Sequence, residues 1–157
     1  MNSTQQLIQV FVYGTLKRGE PNHHWLTNKE NGFAQFVSSG KTDTQFPLIV
    51  ATKYNIPFLL NIPATGHSIN GEIYSVDGTM LRNLDELEDY PELYDRNIFT
   101  INGSDGKSHQ CWIYMLKRFP DDFLNKYKFL SEYRNSVEQP YRETYLDTCT
   151  PDDLYTS

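Results

Sequence analysis

The sequence predicts an α+β fold: a curled or barrel-like sheet with a few helices at its margin. Three observations carry this. Short β-prone runs recur along most of the chain, helical periodicity is confined to a few separate stretches, and the strict strand–helix alternation of a doubly wound sheet is absent. A length of 157 residues suits one domain, 1–157, with a real core. Aromatic residues reach 14%, mostly eleven Tyr and nine Phe, which argues against disorder.

The elements follow in chain order. Leu7 to Tyr13 reads as a buried strand, because it is apolar and β-prone and stops at a glycine. Glu20-Pro21-Asn22 is turn-like, and a short helix is expected to start at His23-His24-Trp25-Leu26. Phe33 to Thr42 holds one strand or two, with a bend or bulge at Ser38-Ser39-Gly40. Phe46 to Ala51 and Tyr54 to Ile62 carry Pro47 and Pro57, so they should be edge or irregular strands. Ser68 to Val76 is the next strand, and Gly71 inside it signals a bulge or a close backbone approach. Asp77 is a good N-cap for a helix running to about Asp89, before Pro91. Tyr94 to Asn102 and Ser108 to Met115 form a hairpin around Gly103 to Gly106. Pro120 to about Tyr133 has apolar residues at helical spacing. From Asn135 the pattern fades, and residues 135–157 are expected to be a loosely packed or disordered tail.

Composition excludes several classes of partner. A formal charge of −6 disfavours nucleic-acid binding. No apolar run approaches the roughly 18 residues of a membrane span, and the N-terminal residues do not read as a signal peptide. Cys111 and Cys149 stand far apart, which fits a reducing, cytoplasmic setting. Nothing in the pattern indicates an oligomeric state.

Two stretches carry candidate chemistry. At Tyr13-Gly14-Thr15-Leu16-Lys17-Arg18-Gly19 the strand gives way to a loop in which Gly14 lets backbone N–H groups approach a bound anion, with cations next to it. An ordinary strand-to-loop turn is the competing reading. The helix after Asp77 carries Asp85, Glu86, Glu88 and Asp89. Met80, Leu84 and Leu87 define its core-facing stripe, and Glu88, four after Leu84, falls on that side. Glu86 projects oppositely, while Asp85 and Asp89 lie toward the polar face. Desolvation and the helix C-terminus would both raise the Glu88 pKa into a range useful for proton transfer. Alternatively, its stem packs on the core while its head reaches water or Arg96. His23 and His24 suit structural or pocket-rim roles better than metal binding; His67 and His109 read as lone surface residues, and Cys111 as a packed one.

Phe11 to Gly19 followed by Pro21-Asn22-His23 resembles the N-terminal signature of the gamma-glutamylcyclotransferase superfamily, the AIG2-like proteins. Within that superfamily the chain is most similar to the gamma-glutamylamine cyclotransferase branch. Further matches run through Pro47-Leu48-Ile49-Val50, Asn55 to Leu60, Gly71 to Asp77, Leu84-Asp85-Glu86-Leu87-Glu88 and Pro91 to Arg96. The resemblance implies a small mixed β-barrel flanked by helices. It also implies cofactor-free, metal-free cyclisation of a small-molecule gamma-glutamyl substrate, such as epsilon-(gamma-glutamyl)lysine, to 5-oxoproline and an amine. It places the catalytic glutamate at Glu88 and the substrate-binding loop at Tyr13, Gly14, Thr15 and Leu16. The alternatives are action on gamma-glutamyl amino acids or glutathione, or a non-catalytic module that binds a small carboxylate.

Overall fold

Strand β1 (Ile8–Val12) is buried on both faces, and this explains its unbroken apolar run. Its side chains alternate between two cores. Val10 and Val12 join Tyr74, Met80, Leu84 and Phe58. Phe11 joins Phe46, Ile73, Ile113 and Met115. A computed structural model describes residues 6–116 and 118–142.

Four further strands close a barrel with β1: β2 (Ala34–Thr42), β5 (Asn70–Val76), β6 (Tyr94–Gly103) and β7 (Ser108–Leu116). The order is β1-β5-β2-β6-β7. Every neighbouring pair is antiparallel except β1 and β7, which meet in parallel with Val10 opposite Trp112. The barrel is therefore mixed. At the β5–β1 crossing, a Cβ on Gly71 would lie 2.4 Å from the Val12 carbonyl oxygen. Only glycine allows that approach, as the isolated glycine in a strand suggested. The register of β2 against β5 shifts between Phe36 and Ser38, next to the expected bulge.

Strands β3 (Leu48–Ala51) and β4 (Ile56–Leu59) form a separate two-stranded sheet, consistent with Pro47 just before β3 and Pro57 within β4. A bridge from Leu60 to Leu116 attaches this pair to the barrel. Helix α1 is the short turn His24–Thr27, followed by a 3-10 turn at Lys29–Asn31. Helix α2 (Gly78–Leu87) packs Met80 and Leu84 into the first core.

The expected helix from Pro120 to Tyr133 is corrected to one short helix, α3 (Phe123–Lys126). Tyr127 is extended, and Leu130 N–H instead donates to Leu48 O of β3 at 2.8 Å. A long-range backbone hydrogen bond overrides the local periodicity, though Phe123 and Tyr133 still reach the cores. Of the tail expected to pack loosely from Asn135, Asn135, Pro140, Tyr141 and Arg142 are hydrogen-bonded to the body of the protein, and Tyr141 is buried. Residues 143–157, with Cys149, lie outside the described residues.

Asp77 links helix and barrel. Its Oδ1 accepts from Met80 N–H at 2.8 Å, capping α2, and from Phe33 N–H at 3.1 Å, just before β2. Asp77→Ala should lower unfolding free energy by about 1–2 kcal/mol, the cost of a lost N-cap. Urea titration reads this as a lower midpoint at unchanged slope; an unmoved midpoint would contradict the assignment.

Candidate active site

The C-terminal end of α2 sets one wall of the site. Asp89 adopts a left-handed φ of +51°, and two reverse hydrogen bonds close the helix: Asp89 N–H to Glu86 O at 3.1 Å and Tyr90 N–H to Asp85 O at 2.9 Å. This is a Schellman arrangement with aspartate where glycine is commoner. It holds Glu88 as the C-cap, its own N–H bonded to Leu84 O at 2.9 Å.

The loop after β1 forms the facing wall, and several side chains brace it. Lys17 N–H bonds Gly14 O at 3.2 Å, and Asn22 N–H bonds Thr15 O at 2.8 Å. His23 Nδ1, which must carry its proton here, donates to Leu16 O at 2.9 Å. Lys17 is buried and donates from Nζ to Tyr133 O at 2.6 Å. Arg18 pairs with Glu72 at 3.2 Å and lies 4.0 Å over the Phe36 ring. Gly14 is fixed by packing: a Cβ there would meet Pro57 Cγ of β4 at 2.8 Å. Neither Thr15 N–H nor Leu16 N–H enters a hydrogen bond among the described residues.

Between these walls lies a cavity of about 400 Å³, mouth included, lined by Phe11, Val12, Tyr13, Gly14, Thr15, Leu16, Ile56, Pro57, Glu88, Tyr94 and Tyr114. All five residues singled out from the sequence line it. Two larger surface grooves contain neither Glu88 nor the Tyr13–Leu16 loop.

The electrostatics single out Glu88. Its carboxyl makes no hydrogen bond or ion pair among the described residues. The residue keeps some solvent contact through the cavity, but protein atoms crowd the carboxyl, and this desolvation pushes its pKa up to about 8. The neighbouring phenols are already paired. Tyr13 O–H donates to Tyr114 O at 2.7 Å, and Tyr114 O–H donates to Asp85 Oδ1 at 2.6 Å. Burial, then the Glu88 charge, raises the Tyr13 pKa well above its ordinary value. Burial, then the hydrogen bond to Asp85, raises that of Tyr114.

Some expectations need correction. Asp85 is not a solvated acid of the polar face. It is half-buried and holds Arg96 through Oδ1 to Nε at 2.9 Å and Oδ2 to Nη2 at 3.3 Å. Arg96 is flanked by the Tyr90 and Trp112 rings at 4.6 and 4.7 Å, so it partners Asp85 and not Glu88. Lys17, one of the cations next to the loop, is a buried tie, and burial lowers its pKa. His109 is paired with Asp105 at 2.9 Å and with Gln9 at 3.2 Å. Cys111 is packed in the core as expected, and burial pushes its thiol up to about 12. Ile56, Tyr94 and Tyr114 join the lining from strands far apart in the chain. Strand period alone does not say which strand ends converge.

No helix among the described residues is long and apolar enough to cross a membrane. Comparison with known proteins agrees with the fold. Residues 10–135 match the profile of the family described as gamma-glutamyl cyclotransferase, AIG2-like. A Drosophila melanogaster protein, CG2811, provisionally named a gamma-glutamylcyclotransferase, is 56% identical over 93% of each chain. The gamma-glutamylaminecyclotransferase of Mus musculus is 40% identical over 88% of this chain and 89% of its own. The crystal structure of a mouse AIG2-like protein superposes with a TM-score of 0.83 at 37% identity, covering 87% of this chain and 96% of that one. With the matched span taking in both walls of the cavity, the chain belongs to the gamma-glutamyl cyclotransferase, AIG2-like family.

Proposed function

We propose that the protein is a gamma-glutamylamine cyclotransferase that converts L-gamma-glutamylamines, such as epsilon-(gamma-glutamyl)lysine, into 5-oxoproline and the free amine. The observation that carries this reading is an unpartnered, desolvated carboxyl facing a loop with unpaired backbone donors across one small cavity. Among the described residues, no group of three or more His, Cys, Asp or Glu is disposed to hold a metal ion. The chain acts as one domain in this reading, in the cytoplasmic setting that its cysteine spacing suggests.

The chemistry follows from the two walls. The N–H groups of Thr15 and Leu16 hold the substrate α-carboxylate and polarise the gamma-carbonyl, as preorganised donors do at an oxyanion. Glu88 takes a proton from the α-ammonium. The freed amine attacks the gamma-carbonyl carbon, which is already tethered within the same molecule. As the tetrahedral intermediate collapses, the bond to the departing nitrogen breaks and Glu88 returns the proton to it. The second proton of the attacking nitrogen passes by the same carboxylate to the released amine, which leaves as its ammonium form, with a neutral lactam and an ionised Glu88 behind. One carboxyl thus serves first as base and then as acid. With Tyr13 and Tyr114 donating their hydroxyl protons elsewhere, neither competes with Glu88 for this work.

A panel of epsilon-(gamma-glutamyl)lysine, gamma-glutamyl amino acids and glutathione, scored for 5-oxoproline, tests the assignment. The amine substrate should turn over fastest; release from glutathione alone, or from none of the three, would reject it. Glu88→Gln should lower kcat by about 10²–10⁴-fold, the usual contribution of a general acid–base. The parent enzyme's kcat/KM should rise with pH through about 8 as Glu88 ionises, and Gln at this position should remove that inflection.

Burial of Glu88 also affects stability. Its pKa is 4.5 in ordinary surroundings and about 8 in the folded protein. Between those values the folded state holds a proton that the unfolded chain has released, so rising pH withdraws stability across that window. Glu88→Gln escapes this loss. Its stability relative to the parent should therefore be greater at pH ~9 than at pH ~4, beyond either end of the window. Urea titrations at both pH values measure the two gaps, and equal gaps would contradict the buried carboxyl.

A further inference from the structure

We propose that Tyr141, outside the span that defines the family match, is a positioning residue that orients the Thr15 hydroxyl as a hydrogen-bond donor into the cavity. The relay is short. Asn22 is buried, and its Nδ2 donates to Tyr141 Oη and to Thr15 Oγ1, both at 2.9 Å. Each amide hydrogen of Asn22 thus has its own acceptor. Thr15 Oγ1 is used as an acceptor, and its own O–H has no acceptor among the described residues, though Thr15 lines the cavity. A hydroxyl in that state is a donor awaiting an anion.

Tyr141 Oη supplies one of the two acceptors that hold the Asn22 NH₂ in this orientation. An Asn side chain can turn over and present its carbonyl oxygen in place of its NH₂. With Tyr141 replaced by a residue lacking the phenol oxygen, the buried amide loses one acceptor and the turned-over orientation loses its competitor. The Asn22 carbonyl could then take the Thr15 hydroxyl proton, leaving nothing to donate into the cavity.

The segment that carries Tyr141 is held in place independently. Tyr141 N–H donates to Asn135 Oδ1 at 2.8 Å, and Asn135 N–H donates to Glu20 Oε1 at 3.0 Å. Asn55 Nδ2 donates to Pro140 O at 2.9 Å, and Arg142 N–H donates to Tyr54 O at 3.0 Å. Tyr54 and Asn55 lead directly into Ile56 and Pro57, which line the same cavity as Thr15. Residues 133–142 therefore brace the loop through Lys17, Glu20 and Asn22, and brace β4 through Tyr54 and Asn55.

The inference rests on the cyclotransferase reading for the identity of the anion, the substrate α-carboxylate. Tyr141→Phe should raise KM for epsilon-(gamma-glutamyl)lysine about 10–100-fold, as expected for one hydrogen bond to a charged group, with kcat changed less than about twofold. A residue that merely supports the fold would instead lower Tm and the active fraction without this split. Thr15→Val should raise KM by a similar factor, and adding Tyr141→Phe to it should raise KM no further. An unchanged KM in Tyr141→Phe, or multiplicative effects in the double variant, would overturn the relay. The two readings can fail separately. Calorimetric titration of epsilon-(gamma-glutamyl)lysine into Glu88→Gln, with and without Tyr141→Phe, reads binding in the absence of turnover. If the parent releases no 5-oxoproline but Tyr141→Phe still weakens binding several-fold, the cyclotransferase reading falls and the relay stands. If binding is absent, or insensitive to Tyr141, the relay falls.

Discussion

The enclosure of one carboxyl group without a partner is the constraint on which the site depends. Glu88 ends α2 as its C-cap, and the two reverse hydrogen bonds from Asp89 and Tyr90 leave its backbone little freedom. The helix is in turn fixed by Asp77 at its start and by Met80 and Leu84 in the core beneath β1. Packing thus pins a group that electrostatics disfavours. A buried, unpaired carboxyl is costly when charged, so it takes up a proton near neutrality, the range in which a proton carrier works best.

The surroundings leave Glu88 unpartnered by engaging Arg96, Tyr114 and Tyr13 elsewhere. Arg96, the cation next along the chain, is held by Asp85 on both oxygens and flanked by two aromatic rings. Tyr114 is turned to the same Asp85, and Tyr13 to the Tyr114 carbonyl. One carboxylate of α2 absorbs the local donors, and another, three residues on, is left free. Two acids with such different environments on one helix suit a proposed division between scaffold and chemistry.

The facing loop is built to opposite effect, with donors left over where the helix end leaves an acceptor. Its carbonyls are taken by Lys17, Asn22 and His23, while the Thr15 and Leu16 N–H groups have no partner among the described residues. Gly14 matters here for a reason of packing. It lets the loop lie against Pro57, so β4 and the loop share one cavity. Pro57, which weakens β4 as a ladder strand, makes it a rigid wall.

Sequence alone determined the parts of this protein that rest on local rules. The strands read correctly because period 2 and β-prone composition are properties of a few adjacent residues, and α2 read correctly because capping and the 3.6 period are equally local. Glu88 stood out among four neighbouring acids for the same reason: its angle around the helix relative to Leu84 can be counted from the chain. Tertiary structure decided whatever depended on distant segments meeting. Barrel closure between β1 and β7 joins strands about a hundred positions apart, the stretch after Lys126 gave up helix for a bond to β3, and Asp85 left the polar face for Arg96 and Tyr114. No local pattern encodes these, because their free energy comes from partners that periodicity does not see. That is why the sequence could nominate Glu88 and the Tyr13–Leu16 loop, while only the folded chain could put them across one cavity and leave the carboxyl unpaired.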